Sequence, residues 1–329
     1  MKTFTHLHVS SAYSLKYGTT QPSDLVARAS EYGMPAMALT DRDGLVGAVR
    51  FTQSCVEYGV APIIGIDLAI DIKNRQVLPR ESEASGNEGQ KLPRITLLAH
   101  GDGGWRSLCR LLTSLHTYKA LDAPLTRRIT PVLTIDFLQR FNEYGRNLLV
   151  LHGPESPIGA AIALRRPDLA LERFMQMKEL FADHAIECVS HLVAGDGPRS
   201  TVHAARSLIF ARDQKIPAVL TNAVRMLERD DGPVADILDS ARQLVPLHTR
   251  HVERKNAEAF LKSTSEMAEM AEEIARAAGE RTARELLRTT REWAERAILS
   301  PTRDIGLGGI HLPEPHIVGA DSALQMRSL

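Results

Sequence analysis

Short apolar runs alternate with longer segments of helical period through the first 245 residues, and no other feature of the sequence constrains the fold as much. The runs are Phe4–Val9, Met37–Thr40, Pro62–Ile66, Ile95–Ala99, Asn147–Leu151, Ile186–Val189 and Ala218–Thr221. Between most of them lie Pro22–Tyr32, Leu45–Tyr58, Trp105–His116, Leu169–Phe181, Thr201–Ala211 and Val234–Leu244, each long enough for two or more helical turns. Pro22 with Asp24 makes a good helix start, since proline suits the first turn and an acid complements the helix dipole. Strands alternating with helices predict βαβ units and parallel strands. Seven such runs within 245 residues suit a closed or nearly closed barrel, with an open doubly wound sheet as the other arrangement.

Two stretches depart from this rhythm. Arg75–Arg94 is polar, rich in Gly, Ser and Pro, and without period, so it reads as an exposed loop. Beyond His248 the strand pattern stops, and Asn256–Ala278 and Arg281–Ile298 read as helices separated by Gly279, a plausible C-terminal cap. After Ser300 the chain turns Gly- and Pro-rich. The expected organisation is therefore a barrel over 1–245, a helical connector over 246–300 and a tail over 301–329.

At 329 residues, with 43% hydrophobic and 24% charged positions, the composition is that of a globular protein. Forty Lys and Arg balance 40 Asp and Glu, so bulk electrostatics gives no reason to expect nucleic-acid or membrane binding. Three cysteines far apart in sequence make neither a disulfide framework nor a CxxC metal site. The N-terminus has no apolar core of a signal peptide, and no apolar run approaches the roughly 18 residues of a spanning helix. A cytoplasmic protein that does not enter the membrane is expected.

Most motifs have a bland reading. Gly306, Gly308 and Gly309 follow no strand, Gly153–Pro157 lacks the end of a phosphate loop, and no G-x-S-x-G elbow occurs. His248 and His251, spaced i, i+3, fall at an expected domain edge and read as surface histidines. His6-Leu7-His8 is more informative, because alternate strand residues share a face and two histidines so spaced can ligate one metal. Asp41, Asp43 and Asp67, at the ends of the second and third runs, would add carboxylates to a barrel mouth.

These residues also carry a family resemblance. Phe4–His8 with Ala12–Leu15, Met37–Asp41, Gly47–Val49, Pro62–Gly65, Leu97–Ala99, Leu108–Leu111, Pro217–Asn222 and Phe260–Lys262 occur in the order found in bacterial DNA polymerase III alpha subunits. Their opening is the polymerase-and-histidinol-phosphatase (PHP) domain, a distorted seven-stranded βα barrel. The spellings ALTDRDGLVGAVRF and VLTNAVR look most like error-prone, repair-type subunits of actinobacterial character. The resemblance implies a role in DNA replication or repair synthesis, with the rest of the polymerase, DNA and other replication proteins as partners. It also implies that nucleotidyl transfer, with its Mg2+, belongs to a palm domain starting about where residue 329 falls, so these residues alone are expected not to polymerise DNA.

PHP enzymes of this type hold metals with about nine His, Asp, Glu and Cys ligands. By resemblance those positions fall on His8, Ser10, Tyr17, Arg42, Asp67, Arg94, Pro154, Ala223 and Arg225, with Asp41 beside them. His6 is a neighbour of the ligand pair. Only His8 and Asp67 keep a ligating side chain, and two ligands do not hold a metal needing three or more. The expectation is a barrel without metal or catalysis that serves as a scaffold. The alternatives are a metal-dependent phosphoesterase or 3′–5′ exonuclease recruiting His100, His152 or His191, and a stand-alone interaction module. Stripping a metal cluster leaves carboxylates uncompensated, and guanidinium groups are suitable replacements. Arg42 and Arg225 are accordingly predicted to converge on Asp67 or Asp41, with Arg94 as a third.

Overall fold

A computed structural model describes residues 3–72, 92–120, 131–248, 252 and 254–309. Seven strands form one sheet: β1 Ala36–Leu39, β2 Ala61–Asp71, β3 Arg94–Ala99, β4 Val132–Thr134, β5 Leu148–His152, β6 Asp183–Cys188 and β7 Ala218–Leu220. Their order is β1-β2-β3-β5-β6-β7, with β4 paired to the far end of β2. Six of the seven expected strands are present within a few residues. The exceptional one, Phe4–Val9, is not a regular strand, yet it closes the ring.

That closure rests on backbone hydrogen bonds to both sides. The amides of Ala38 and Thr40 donate to the carbonyls of His6 and Val9, each at 2.8 Å. On the other side Ser10 N donates to Val224 O at 2.8 Å and Val224 N donates to His8 O at 2.9 Å. The segment therefore spans the gap between β1 and the stretch after β7. The arrangement is a distorted α/β barrel, and the open doubly wound sheet is set aside.

The expectation of uniformly parallel strands is corrected. β3 runs antiparallel to β2 (Gly65↔Leu98) and to β5 (Thr96↔Leu151), while β1–β2, β5–β6 and β6–β7 are parallel. A parallel return needs a crossover, usually helical, whereas an antiparallel return does not. The stretch Arg75–Arg94 carries no helical period, which was the unread sign of the antiparallel step; most of that loop lies outside the described residues, as do His251 and the tail beyond residue 309.

Strand alternation splits the core into two layers. Leu7, Ala38, Ile63, Leu98, Leu149, Leu151, Ala185 and Val219 point into the barrel, where Trp293, Ala294 and Ala297 of the helix Arg284–Ala297 fill its lower end. Leu148 and Val150, on the other face of β5, join the outer layer against the surrounding helices. The helix Thr264–Ala277 starts in a capping box formed by Ser263 and Glu266, and its Met267, Met270 and Ile274 pack against Phe4, Cys188 and Leu220. The stretch expected as a connector thus rests on the barrel, with its two helices beginning three to eight residues later than expected. Gly279 follows the first of them at φ +77°, in the left-handed region that glycine enters without strain. Strand β4 and the helices Ile135–Arg140, Asn142–Gly145 and Pro157–Ala163 were not foreseen, being too short to show a period.

Candidate functional site

The mouth of the barrel gathers side chains from the ends of several strands. Arg42 and Asp43 follow β1, Asp67 lies on β2, Arg94 opens β3, Glu155 follows β5 and Glu187 sits near the end of β6. His8 comes from the closing segment and Arg199 from the loop before the helix Thr201–Gln214. They surround a cavity of about 20 Å³, lined also by Tyr17, Thr96, Gly153, Pro154 and Ala223. That is room for one water-sized group. Gly153 is needed for the enclosure: a Cβ there would lie 2.0 Å from Glu187 Oε2.

Asp67 is 2% exposed and receives two guanidinium groups. Arg42 Nε lies 2.9 Å from Oδ2 and Arg94 Nε 3.0 Å from Oδ1. Arg94 also donates through Nη2 to the Asp67 carbonyl at 2.7 Å and to Asp43 Oδ1 at 2.8 Å. Arg42 reaches Glu155 Oε2 at 3.2 Å, and Arg199 pairs with the other oxygen of Glu155. His8 Nδ1 contacts Glu187 Oε1 at 2.8 Å, and the Thr221 hydroxyl donates to the same oxygen.

Electrostatics follows from these contacts. Burial disfavours charge on Asp67, but Arg94, Arg42 and His8 outweigh it and hold the carboxyl below the usual range. Burial also opposes charge on His8, yet the adjoining Glu187 carboxylate lifts it to about 9. The four basic groups Arg42, Arg94, Arg199 and His8 thus face four acidic ones, Asp43, Asp67, Glu155 and Glu187. The cage is balanced.

Arg225 does something else, and its predicted convergence on Asp67 or Asp41 is corrected. Its guanidinium pairs with Asp239 on the helix Gly232–Gln243, at 3.0 and 3.1 Å, and donates to the Tyr17 carbonyl at 2.9 Å. The reason is that Tyr17 stands between it and the cage: Arg42 and Arg225 lie 3.4 and 4.1 Å from the centre of its ring. Burial would raise the Tyr17 hydroxyl, but Arg42, Arg225 and Arg199 bring it below its ordinary value. Asp41 is likewise apart. It accepts from the Ser11 amide at 2.7 Å and from the hydroxyls of Ser11 and Ser14, and burial raises its carboxyl despite those donors.

The remaining sequence-derived positions divide similarly. Pro154 and Ala223 line the cavity but offer no side-chain donor, and Ser10 is buried with its hydroxyl unbonded among the described residues. His6 and His8 do not share a face, because their segment is not a pleated strand; His6 Nε2 donates to Lys262 O at 2.9 Å and burial holds the ring near 4. None of the proposed stand-in histidines reaches the cavity. His191 donates to Asn222 O, His152 stacks on His184, and His100 contacts Arg296 O. Sequence reasoning missed Glu155, Glu187, Thr96 and Arg199. Glu187 did leave a signal, a lone charge in the apolar run HAIEC at an inward-facing position.

Do these residues fit a metal cluster? His8, Asp67, Glu155 and Glu187 could ligate chemically, but each carboxylate already takes charged donors. An incoming cation would meet three guanidinium groups at short range. Among the described residues no group of three or more His, Cys, Asp or Glu is arranged to hold a metal. The donor set does not fit.

Comparison with known proteins agrees with the fold and its sequence motifs. The PHP domain profile matches residues 6–191, more than half of the chain. DNA polymerase III subunit alpha of Buchnera aphidicola is 27% identical over 276 residues, covering 82% of this chain and 21% of that protein. The error-prone DNA polymerase of Symbiobacterium thermophilum is 29% identical over 276 residues, 81% of this chain and 23% of that one. That of Mycobacterium tuberculosis is 37% identical over 113 residues, 34% of this chain and 10% of its own. The chain spans about a fifth of the length of the first two. Among the described residues no helix is long and apolar enough to cross a membrane. On the match over residues 6–191 and the ring of strands that carries it, this chain belongs to the PHP domain family.

Proposed function

We propose that this chain is a PHP barrel serving an error-prone DNA polymerase of the DNA polymerase III alpha type as a scaffold, in the cytoplasm, and that it neither holds metal nor hydrolyses phosphoesters. The observation behind this reading is the double clamp of Arg42 and Arg94 on Asp67, at 2.9 and 3.0 Å. The two guanidinium groups beside this carboxylate supply the positive charge a metal would bring, and a cation approaching Asp67 would be repelled by both. Mg2+ for nucleotidyl transfer would belong to the polymerase's own palm carboxylates. DNA and the rest of the polymerase are the partners this reading implies, and the balanced cage would then stiffen the barrel on which they assemble.

Metal analysis and hydrolysis assays test it together. Purified chain is expected to carry no stoichiometric Zn, Mn or Fe, and to leave bis-p-nitrophenyl phosphate intact with Mn2+ or Zn2+ added. Metal-dependent turnover that His8→Ala abolishes would overturn the reading.

A further inference from the structure

The helix Gly104–Ala120 contains no Asp or Glu, although acids and bases balance over the whole chain. Its Leu108, Leu111 and Leu115 are buried in the outer layer of the core. The opposite side shows Arg106, Arg110, Thr113 and Thr117 to solvent. They recur at intervals of four, three and four residues, so they form one stripe, about 16 Å long at 1.5 Å per residue. Asn147 Nδ2 donates to Ser107 Oγ at 3.3 Å, which sets the exposed Arg146 beside the start of that stripe.

Pairing separates these arginines from others on the surface. Arg165, Arg166, Arg206, Arg212, Arg288 and Arg296 each face a carboxylate. Arg106, Arg110 and Arg146 make no ion pair among the described residues. Of the nearest acids in the described sequence, Asp102 lies 3.8 Å from Arg303, and Glu143 is exposed without an ion pair. Three uncompensated guanidinium groups thus stand against one free carboxylate.

A strand of phosphates fits this stripe better than other anions do. The stripe carries no apolar residue, so it lacks both the apolar centre of a protein interface and the apolar face of a helix that lies in a lipid surface. Guanidinium takes phosphate oxygens bidentately, and the Thr113 hydroxyl, without a partner among the described residues, is a further donor. A row of this length spans about five phosphates of one duplex strand at 3.4 Å each, whereas a compact anion meets one or two arginines.

We propose that the exposed face of the helix Gly104–Ala120, with Arg146, binds the phosphate backbone of duplex DNA. The choice of DNA among phosphodiester strands rests on the reading of this chain as part of a DNA polymerase. Contacts of this kind position a duplex and carry no sequence information.

Fluorescence anisotropy of a labelled duplex of about 20 base pairs, titrated with the full chain at about 50 to 200 mM NaCl, tests it. The wild type is expected to bind with a Kd of about 1–100 μM, and log K should fall against log[salt] with a slope of about −2.7 for three phosphate contacts. Arg106→Gln, Arg110→Gln and Arg146→Gln should each weaken binding about fivefold and flatten the slope by about 1. Arg106→Lys should keep the slope, and Arg166→Gln, which removes an arginine paired with Asp168, should change nothing. Absence of binding at the lowest salt, or binding indifferent to the three Gln variants, would overturn the proposal. So would poly-glutamate or phosphatidylserine vesicles competing as well as unlabelled duplex at equal charge, which would point to an acidic protein or a lipid surface instead. Any of these failures leaves metal content and phosphoester hydrolysis, which test the scaffold reading, unchanged.

Discussion

Replacing Asp67 by Asn tests the cage where it carries most charge. The change keeps shape and one acceptor but removes the negative charge between Arg42 and Arg94, whose side chains are 12% and 11% exposed. Breaking a buried pair by removing one partner typically costs 3–5 kcal/mol, because the other charge is left uncompensated. Here the cost belongs at the low end. Arg94 keeps Asp43 and a backbone carbonyl, and Arg42 keeps Glu155. About 3 kcal/mol, divided by an unfolding entropy of about 2.1 cal/mol/K per residue over 329 residues, gives a fall in Tm of about 4 °C. Differential scanning calorimetry measures it, with and without EDTA. If Arg42 is the partner, Arg42→Gln in the Asp67→Asn background should cost markedly less than Arg42→Gln alone. Arg225→Met, which leaves Asp239 with Arg242 as its remaining guanidinium partner, should simply add to Asp67→Asn. A Tm unchanged by Asp67→Asn, or a loss seen only without EDTA, would refute the reasoning in favour of a metal-bound carboxylate.

The other expectations concern pH, close packing and the barrel floor. Because Glu187 lifts His8 to about 9 from an unfolded value near 6.5, its stabilisation is complete below pH 6.5 and is lost as pH rises through 9. Urea midpoints of wild type should therefore fall between pH 6.5 and 9.5 by an amount that His8→Gln largely removes; parallel pH profiles would contradict this. Gly153→Ala forces a Cβ to 2.0 Å from the Glu187 carboxylate, so it should destabilise by about 1–3 kcal/mol in urea unfolding, and a neutral result would mean Glu187 is not held there. Trp293→Ala empties the lower end of the barrel and should cost about 3–5 kcal/mol in the same assay, where a loss under 1 kcal/mol would show the helix Arg284–Ala297 only lightly docked.

Periodicity alone was enough to place six of the seven strands expected and to suggest a barrel, because an apolar run buried on both faces and a helix of 10 or more residues leave unmistakable local patterns. Arginines at positions where the family holds ligands were equally legible, and with them the idea of cations standing in for metals. Local pattern ended there. Whether Phe4–Val9 pairs on both sides depends on where its two neighbours lie, and its irregular backbone sends His6 to Lys262 and His8 to Glu187 although both histidines sit in one short run. The partner of Arg225 was decided the same way. The ring of Tyr17 lies between that guanidinium and Asp67, and the helix Gly232–Gln243 brings Asp239 within 3.0 Å. Side chains more than 100 residues apart, such as Arg42 and Glu155, share no local signal, and only closure of the barrel brings them together. The sequence by itself therefore determined which elements form and which charges are available. Tertiary structure decided which charges meet, because a buried guanidinium takes whichever carboxylate the packed core leaves within about 3 Å.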